Sequence, residues 1–312
     1  MPLRTAVITH LACLDHLTGD GHPERPERLR AVLHALEDEA FSGLIREQAP
    51  EATMEQLTRV HPASYVNEIL SIKPGPGKLI DLDPSTVVSD GSAEAALRAA
   101  GAAVMAVDAV MEGWARAAFA ATRPPGHHAE PSTPGGFCLF SNAAIAAAHA
   151  RAHWNVKRIA IADFDVHHGQ GTQACLEKDP DYFYGSSHQY PLYPGTGFPT
   201  ERGVAGNVVN VMLQPGTTSE EFREAWAGTI LPAIDNFRPD LLIVSAGFDA
   251  HRADPLAHIR LDVADFVWIT QELLGIADRH TGGKIVSLLE GGYDLDALAR
   301  SVAAHVRTLM RA

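Results

Sequence analysis

The sequence predicts an α/β fold, a single domain over residues 1–312 in which a mainly parallel β-sheet is flanked by helices. Three observations carry the prediction. Short β-branched or apolar runs alternate with longer amphipathic segments, as in a sheet covered by helices. Several of the short runs are apolar without interruption, as parallel strands buried on both faces are. No internal repeat, low-complexity tract or linker divides the chain.

In chain order, Thr5–Thr9 reads as the first strand and Pro26–Ala40 as the first helix. Pro26 suits the first helical position, where its missing N–H has no intrahelical partner to lose. A second helix, Pro62–Ser71, ends in the Pro/Gly loop Lys73–Lys78, which is too short for an interdomain tether. The alanine-rich helix Ser92–Glu112 carries Arg98 and Asp108, so it packs on the sheet and does not enter a membrane. Strand Ala117–Ala121 and helix Asn142–Trp154 follow, then strands Arg158–Ala162, Tyr182–Ser186 and Val208–Met212. Helix Ser219–Phe237, strand Leu241–Ser245, helix Val263–His280, strand Ile285–Leu289 and helix Leu295–Arg311 complete the series.

Composition narrows the function. Hydrophobic residues make up 46% of the chain, enough for a substantial core, and the formal net charge of -13 argues against a basic nucleic-acid surface. Cationic substrates suit that charge. Cys13, Cys138 and Cys175 lie far apart with no Cys-x-x-Cys pair, so neither a disulfide framework nor a thiolate zinc site is expected, and a reducing cytoplasm fits. The N-terminus has no apolar core of signal-peptide length, because Thr5, Thr9, His10 and Asp15 interrupt it. No uncharged apolar stretch reaches the roughly 20 residues of a membrane span.

Ligands of open parallel sheets bind beyond the carboxyl ends of the strands, and here those ends carry unusual side chains. Arg123-Pro-Pro-Gly-His127-His128 follows one strand and Asp163-Phe-Asp165-Val-His167-His168-Gly-Gln170 another. Ser186-Ser-His188, Ala246-Gly-Phe-Asp249 and Glu290-Gly-Gly-Tyr293 end three more. A mixed set of histidines and carboxylates without thiolates suits zinc or a related divalent ion, which in a catalytic site needs three protein ligands and an open position. Alternate residues of Asp163-x-Asp165-x-His167 share one side of an extended backbone, so two of the three can bind one ion. Asp249 is the natural third ligand. Of the tandem His127 and His128, one ring can address a water and the other a reacting carbonyl, each with a partner on its second nitrogen; Asp163 is available to one. His10, His34, His149, His153, His280 and His305 read as core or loop histidines, and Cys138 and Cys175 as small packing residues.

With these segments in this order, the chain resembles the histone deacetylase superfamily, with its arginase-deacetylase fold, from His22-Pro-Glu-Arg-Pro-Glu-Arg28 to Tyr293. The Glu290-Gly-Gly-Tyr293 and Gly247-Phe-Asp-Ala250 segments are closer to the class II branch and its bacterial relatives, which include acetylpolyamine amidohydrolases and acetoin utilisation proteins. The resemblance implies zinc on Asp165, His167 and Asp249, His128 as general base and then acid, and His127 as an electrostatic partner paired with Asp163. It implies Tyr293 as donor to the substrate carbonyl. It also implies a narrow acyl-lysine tunnel flanked by Phe137 and Tyr193, with Gly136 and Leu256 in its wall, and a potassium ion against Asp163, Asp165, His167 and Ser186. Gln170 stands where many members carry Asp or Asn behind the second histidine, which makes His128 less basic than an Asp-backed ring.

The expected function is zinc-dependent hydrolysis of N-acyl amides, of acylated lysine peptides or acetylated small amines, with no nucleic acid or membrane partner. A homo-oligomer is compatible with the sequence. The alternatives are an acetylpolyamine amidohydrolase, a two-manganese ureohydrolase, which needs more bridging carboxylates than are found, and an inert binding protein. Leu256 offers no carboxylate to read a distant ammonium. His22 and the two Glu-Arg pairs shape either an entrance loop or a salt-bridged helix entry, and Asp83 and Asp90 are rim groups or solvated loop carboxylates.

Overall fold

The computed structural model describes residues 5–310. Ten strands form: β1 Thr5–Thr9, β2 Ile45–Gln48, β3 Ile80–Asp81, β4 Val87–Val88, β5 Ala117–Ala120, β6 Ile159–Asp163, β7 Tyr182–Gln189, β8 Val208–Leu213, β9 Leu241–Ala246 and β10 Ile285–Leu289. Eight of them make one sheet in the order β2-β1-β5-β10-β9-β6-β7-β8, with every neighbouring pair parallel. All eight carboxyl ends therefore lie along one edge. The five strand ends singled out in the sequence belong to β5, β10, β9, β6 and β7, which are consecutive in the sheet.

Strand alternation sorts the core onto two faces. Val7, Phe119, Ala160, Ala162 and Val244 pack on one face, while Ile8, Ala118, Ala120, Ile159, Ile161 and Ile243 pack on the other. The helices are α1 Pro26–Ala35, α2 Met54–Thr58, α3 Ala63–Ser71, α4 Ser92–Glu112, α5 Asn142–Trp154, α6 Gln170–Leu176, α7 Ser219–Ala225, α8 Leu231–Phe237, α9 Val263–His280 and α10 Leu295–Leu309. The first face is covered by α1 and α7 to α10, and the second by α4 and α5, whose alanines let helix and sheet approach closely. A smaller cluster under α2 and α3 joins Leu57, Tyr65, Val66 and Ile69 to Phe140.

The fold class agrees with the sequence, and the differences have local causes. Helix Pro26–Ala40 stops at Ala35, because Asp38 takes the Ala40 N–H on its side chain and starts a separate 3₁₀ turn at Glu39–Phe41. Ser219–Phe237 is interrupted by a π-helical turn at Trp226–Ile230, immediately before Pro232, which has no N–H to continue an α ladder. Edge strand β2 is polar and exposed, so it leaves no apolar signal. Short α2 is announced only by the capping box of Thr53 and Gln56. Arg311, expected as the last residue of the final helix, lies outside the described residues. Among those described, no helix is long and apolar enough to cross a membrane.

Candidate active site

Asp163 ends β6 and sits in register between Ser186 of β7 and Ser245 of β9. Beyond it the chain leaves the sheet and turns Asp165 and His167 inward, while Asp249 arrives from the end of β9. Asp165, His167 and Asp249 each offer a ligand atom, all within 4.8 Å of one another, and all three residues are buried. His167 Nδ1 lies 3.2 Å from Asp165 Oδ1 and 3.1 Å from Asp249 Oδ2, so this nitrogen is the one aimed at both carboxylates. The Gly291 N–H donates to Asp165 Oδ2 and the Val166 N–H to Asp249 Oδ1, which fixes both carboxyl planes. Gly291 is required there, since a Cβ would collide with Asp249 Oδ2.

The two histidines after β5 lie with ring centroids 3.9 Å apart but have different partners. His127 Nδ1 contacts Asp163 Oδ2 at 3.1 Å, and the Asp163 carboxylate also accepts the Tyr184 hydroxyl at 2.9 Å and the Asp165 N–H at 3.1 Å. Burial works against a charge on His127, yet the Asp165 and Asp163 carboxylates outweigh it and push its pKa up to about 10. His128 Nδ1 meets Gln170 Oε1 at 2.7 Å. Burial and the neighbouring His127 and His167 hold His128 well below its ordinary range. The surroundings thus favour a charged ring on His127 and a neutral one on His128.

Tyr293 packs its ring between the Arg28 guanidinium, 4.8 Å from the ring centroid, and Phe137 at 5.8 Å. Burial raises its phenol far above the ordinary range, so it stays protonated and able to donate. Its N–H donates to Asp254 Oδ2 at 2.8 Å, while Asp254 Oδ1 accepts the Leu256 N–H at 3.0 Å. One carboxylate therefore ties the Tyr293 main chain to the segment that carries Leu256.

Phe137 lies beside Tyr293, and Tyr193 lies edge-on to His128 with centroids 5.0 Å apart. Gly136 has φ +52° and a Cβ there would strike the His128 ring, so the chain passes directly over it. Phe137 itself takes φ +71°, a strained region for a bulky side chain, and its N–H is held by Thr86 Oγ1 at 3.2 Å. His22 packs on Phe137 and bonds the carbonyls of Glu24 and Ser85. Behind it, Glu24 pairs with both Arg28 and Arg123 in a fully buried network, so this segment both shapes the entrance and starts α1. Asp83 is spent on its own turn through Ser85 and Thr86, and Asp90 holds the Gly75 N–H.

Two contributors were missed in the sequence, and two histidines were named there without a role. Tyr184 is hidden in an apolar run, and Asp254 is one of several polar residues in its segment. His168 and His188, with rings 4.7 Å apart, hold Thr196 and the Gly197 carbonyl of the loop that carries Tyr193. Ser186 Oγ bonds His188 Nδ1 at 3.0 Å. Of the remaining histidines, His149 bonds Asp108, and His305 sits in the core between Thr270 and Ser287.

The histone deacetylase domain family matches residues 22–309. The chain belongs to the histone deacetylase family. Among histone deacetylase relatives, it is 40% identical to a probable deacetylase of Methanothermobacter thermautotrophicus over 97% of this chain and 90% of that protein. It is 36% identical to a histone deacetylase-like amidohydrolase of Pseudomonas aeruginosa over 94% of this chain and 82% of that one. The crystal structure of the HDA15 HD domain superposes with a TM-score of 0.93 at 34% identity, covering 99% of this chain and 88% of that chain. The histone deacetylase assignment makes the chain a hydrolase of the deacetylase and amidohydrolase type.

Proposed function

We propose that the chain is a zinc-dependent deacylase that hydrolyses N-acetyl amides of lysine side chains. The observation that carries this reading is the convergence of Asp165, His167 and Asp249 with the His127–His128 pair and Tyr293 at one sheet edge. The ligand set fits zinc: two buried carboxylates and one imidazole converge without thiolates. Zinc bound there would act as a Lewis acid toward the amide carbonyl and acidify water.

The chain's own residues supply the rest. His128, neutral at pH 7, takes the proton of the attacking water on Nε2, the nitrogen Gln170 leaves free, and returns it to the departing amine. His127 stays charged beside it and favours the negative charge that develops on the carbonyl oxygen. The Tyr293 hydroxyl donates to that oxygen as the carbon becomes tetrahedral. Phe137 and Tyr193 flank the path of the alkyl chain, with Gly136 and Leu256 in its wall. In this reading potassium belongs against Asp163, Asp165, His167 and Ser186, and activity indifferent to exchange of potassium for a large organic cation would remove it. A cytoplasmic setting suits three cysteines that form no disulfide.

The test is hydrolysis of acetyl-lysine peptides beside acetylated polyamines by the zinc-loaded protein, with Asp165→Ala as control. Tyr293→Phe is expected to fold normally and lose roughly a hundredfold to a thousandfold in turnover. Preference for polyamines would reassign the substrate, and no hydrolysis of any acyl-amine would sink the reading. Metal analysis that finds two manganese ions would replace it with the ureohydrolase.

A further inference from the structure

Glu290 takes no part in the chemistry above, yet it is buried to 1% exposure at the end of β10. Its Oε2 accepts the Gly126 N–H at 2.7 Å and the His127 N–H at 3.2 Å, and its Oε1 accepts the Ser245 hydroxyl at 3.1 Å. The residue is itself anchored: its N–H donates to the Ala246 carbonyl at 3.0 Å and its carbonyl accepts from Arg28 at 2.6 Å. β10 lies between β5, which leads into the histidine pair, and β9, which leads to Asp249. The side chain therefore reaches to both sides of its own strand.

We propose that Glu290 is the positioning residue of the histidine pair, holding the main chain of Gly126 and His127 against the end of β9 so that both rings stand over the ligand set. The Asp163 bond orients the His127 ring, and the Thr172 N–H donates to the His127 carbonyl. Among the described hydrogen bonds, only Glu290 takes the two N–H groups that lead into the pair. What the site needs from this residue is reach and one oxygen that accepts both N–H groups, the other end meeting the Ser245 hydroxyl, which can donate or accept.

The proposal rests on the deacylase reading for its kinetic arm, and two variants separate reach from charge. Glu290→Gln keeps the length, and Glu290→Asp keeps the charge but is one methylene short. Glu290→Asp is expected to lose about a hundredfold in kcat, with KM within about threefold of wild type and zinc content unchanged. Glu290→Gln is expected within about threefold of wild type on both constants. Wild-type kcat in Glu290→Asp, or an equal loss in both variants, overturns the assignment. Amide hydrogen exchange tests it without activity. The His127 amide should be protected in wild type and Glu290→Gln and should exchange faster in Glu290→Asp, and equal protection in all three overturns the proposal even if no acyl-amine is cleaved. If Glu290→Asp does not fold, Ser245→Ala removes one of the three contacts. A faster-exchanging His127 amide there supports the assignment, and unchanged exchange overturns it.

Discussion

His127 and His128 are chain neighbours and both are buried, but their surroundings push their pKa values in opposite directions. The first is set against the Asp163 carboxylate and pushed up to about 10; the second faces the neutral Gln170 amide and is held far below its ordinary range. Burial lowers both; at His127 the Asp165 and Asp163 carboxylates outweigh it, while at His128 the neighbouring His127 and His167 add to it. Adjacent residues of one type can therefore act as a fixed cation and as a proton acceptor.

Removing the acceptor should do most harm. His128→Ala is expected to lose about a thousandfold in kcat, read by steady-state turnover of an acetyl-lysine peptide; a loss below about tenfold would move the base elsewhere. Asp163→Asn tests the other ring, with about a tenfold to hundredfold loss expected. Its His127 pKa should fall from about 10 toward the ordinary 6.5, seen by NMR titration of the ring. An unmoved His127 pKa would show that Asp165 holds the charge without Asp163.

Gln170→Glu should blur the contrast. A carboxylate behind His128 raises its pKa, so the acid limb of kcat/KM should move up by about one unit. An unmoved limb would show that another group titrates. Tyr193→Ala should change least. It strips an aromatic contact from His128 and not from His127, and should raise KM about tenfold while sparing kcat.

The parts of this site on strand ends were legible in the sequence, and the parts that brace them were not. Asp163, Asp165, His167, Asp249 and the histidine pair follow apolar runs, so the rule that ligands bind at carboxyl ends collects them from the order of residues alone. Sequence order left open which of Asp163, Asp165 and His167 would meet Asp249, because that depends on how the backbone turns after Asp163. Tyr184 looked like core, since alternation along β7 says which face a residue takes and not what its hydroxyl reaches. Asp254 holds Tyr293 across 39 residues of chain, a pairing no local pattern encodes. The fold was legible where strands are apolar, and was lost at β2, an exposed edge, and at the π-helical turn, a backbone response to Pro232.

The position of β10 has a consequence for biosynthesis. It is the last strand made, yet it separates β5 from β9. Without β10, the strands that lead to the two halves of the site, β2-β1-β5 with His127 and His128 and β9-β6-β7-β8 with Asp165, His167 and Asp249, have no strand between them to pair with. In the proposed reading, a nascent chain that lacks β10 has the candidate ligands but nothing in the sheet to hold the candidate base beside them. Strand β10 also leads into Tyr293, so one segment both joins the two halves of the candidate site and supplies its phenol.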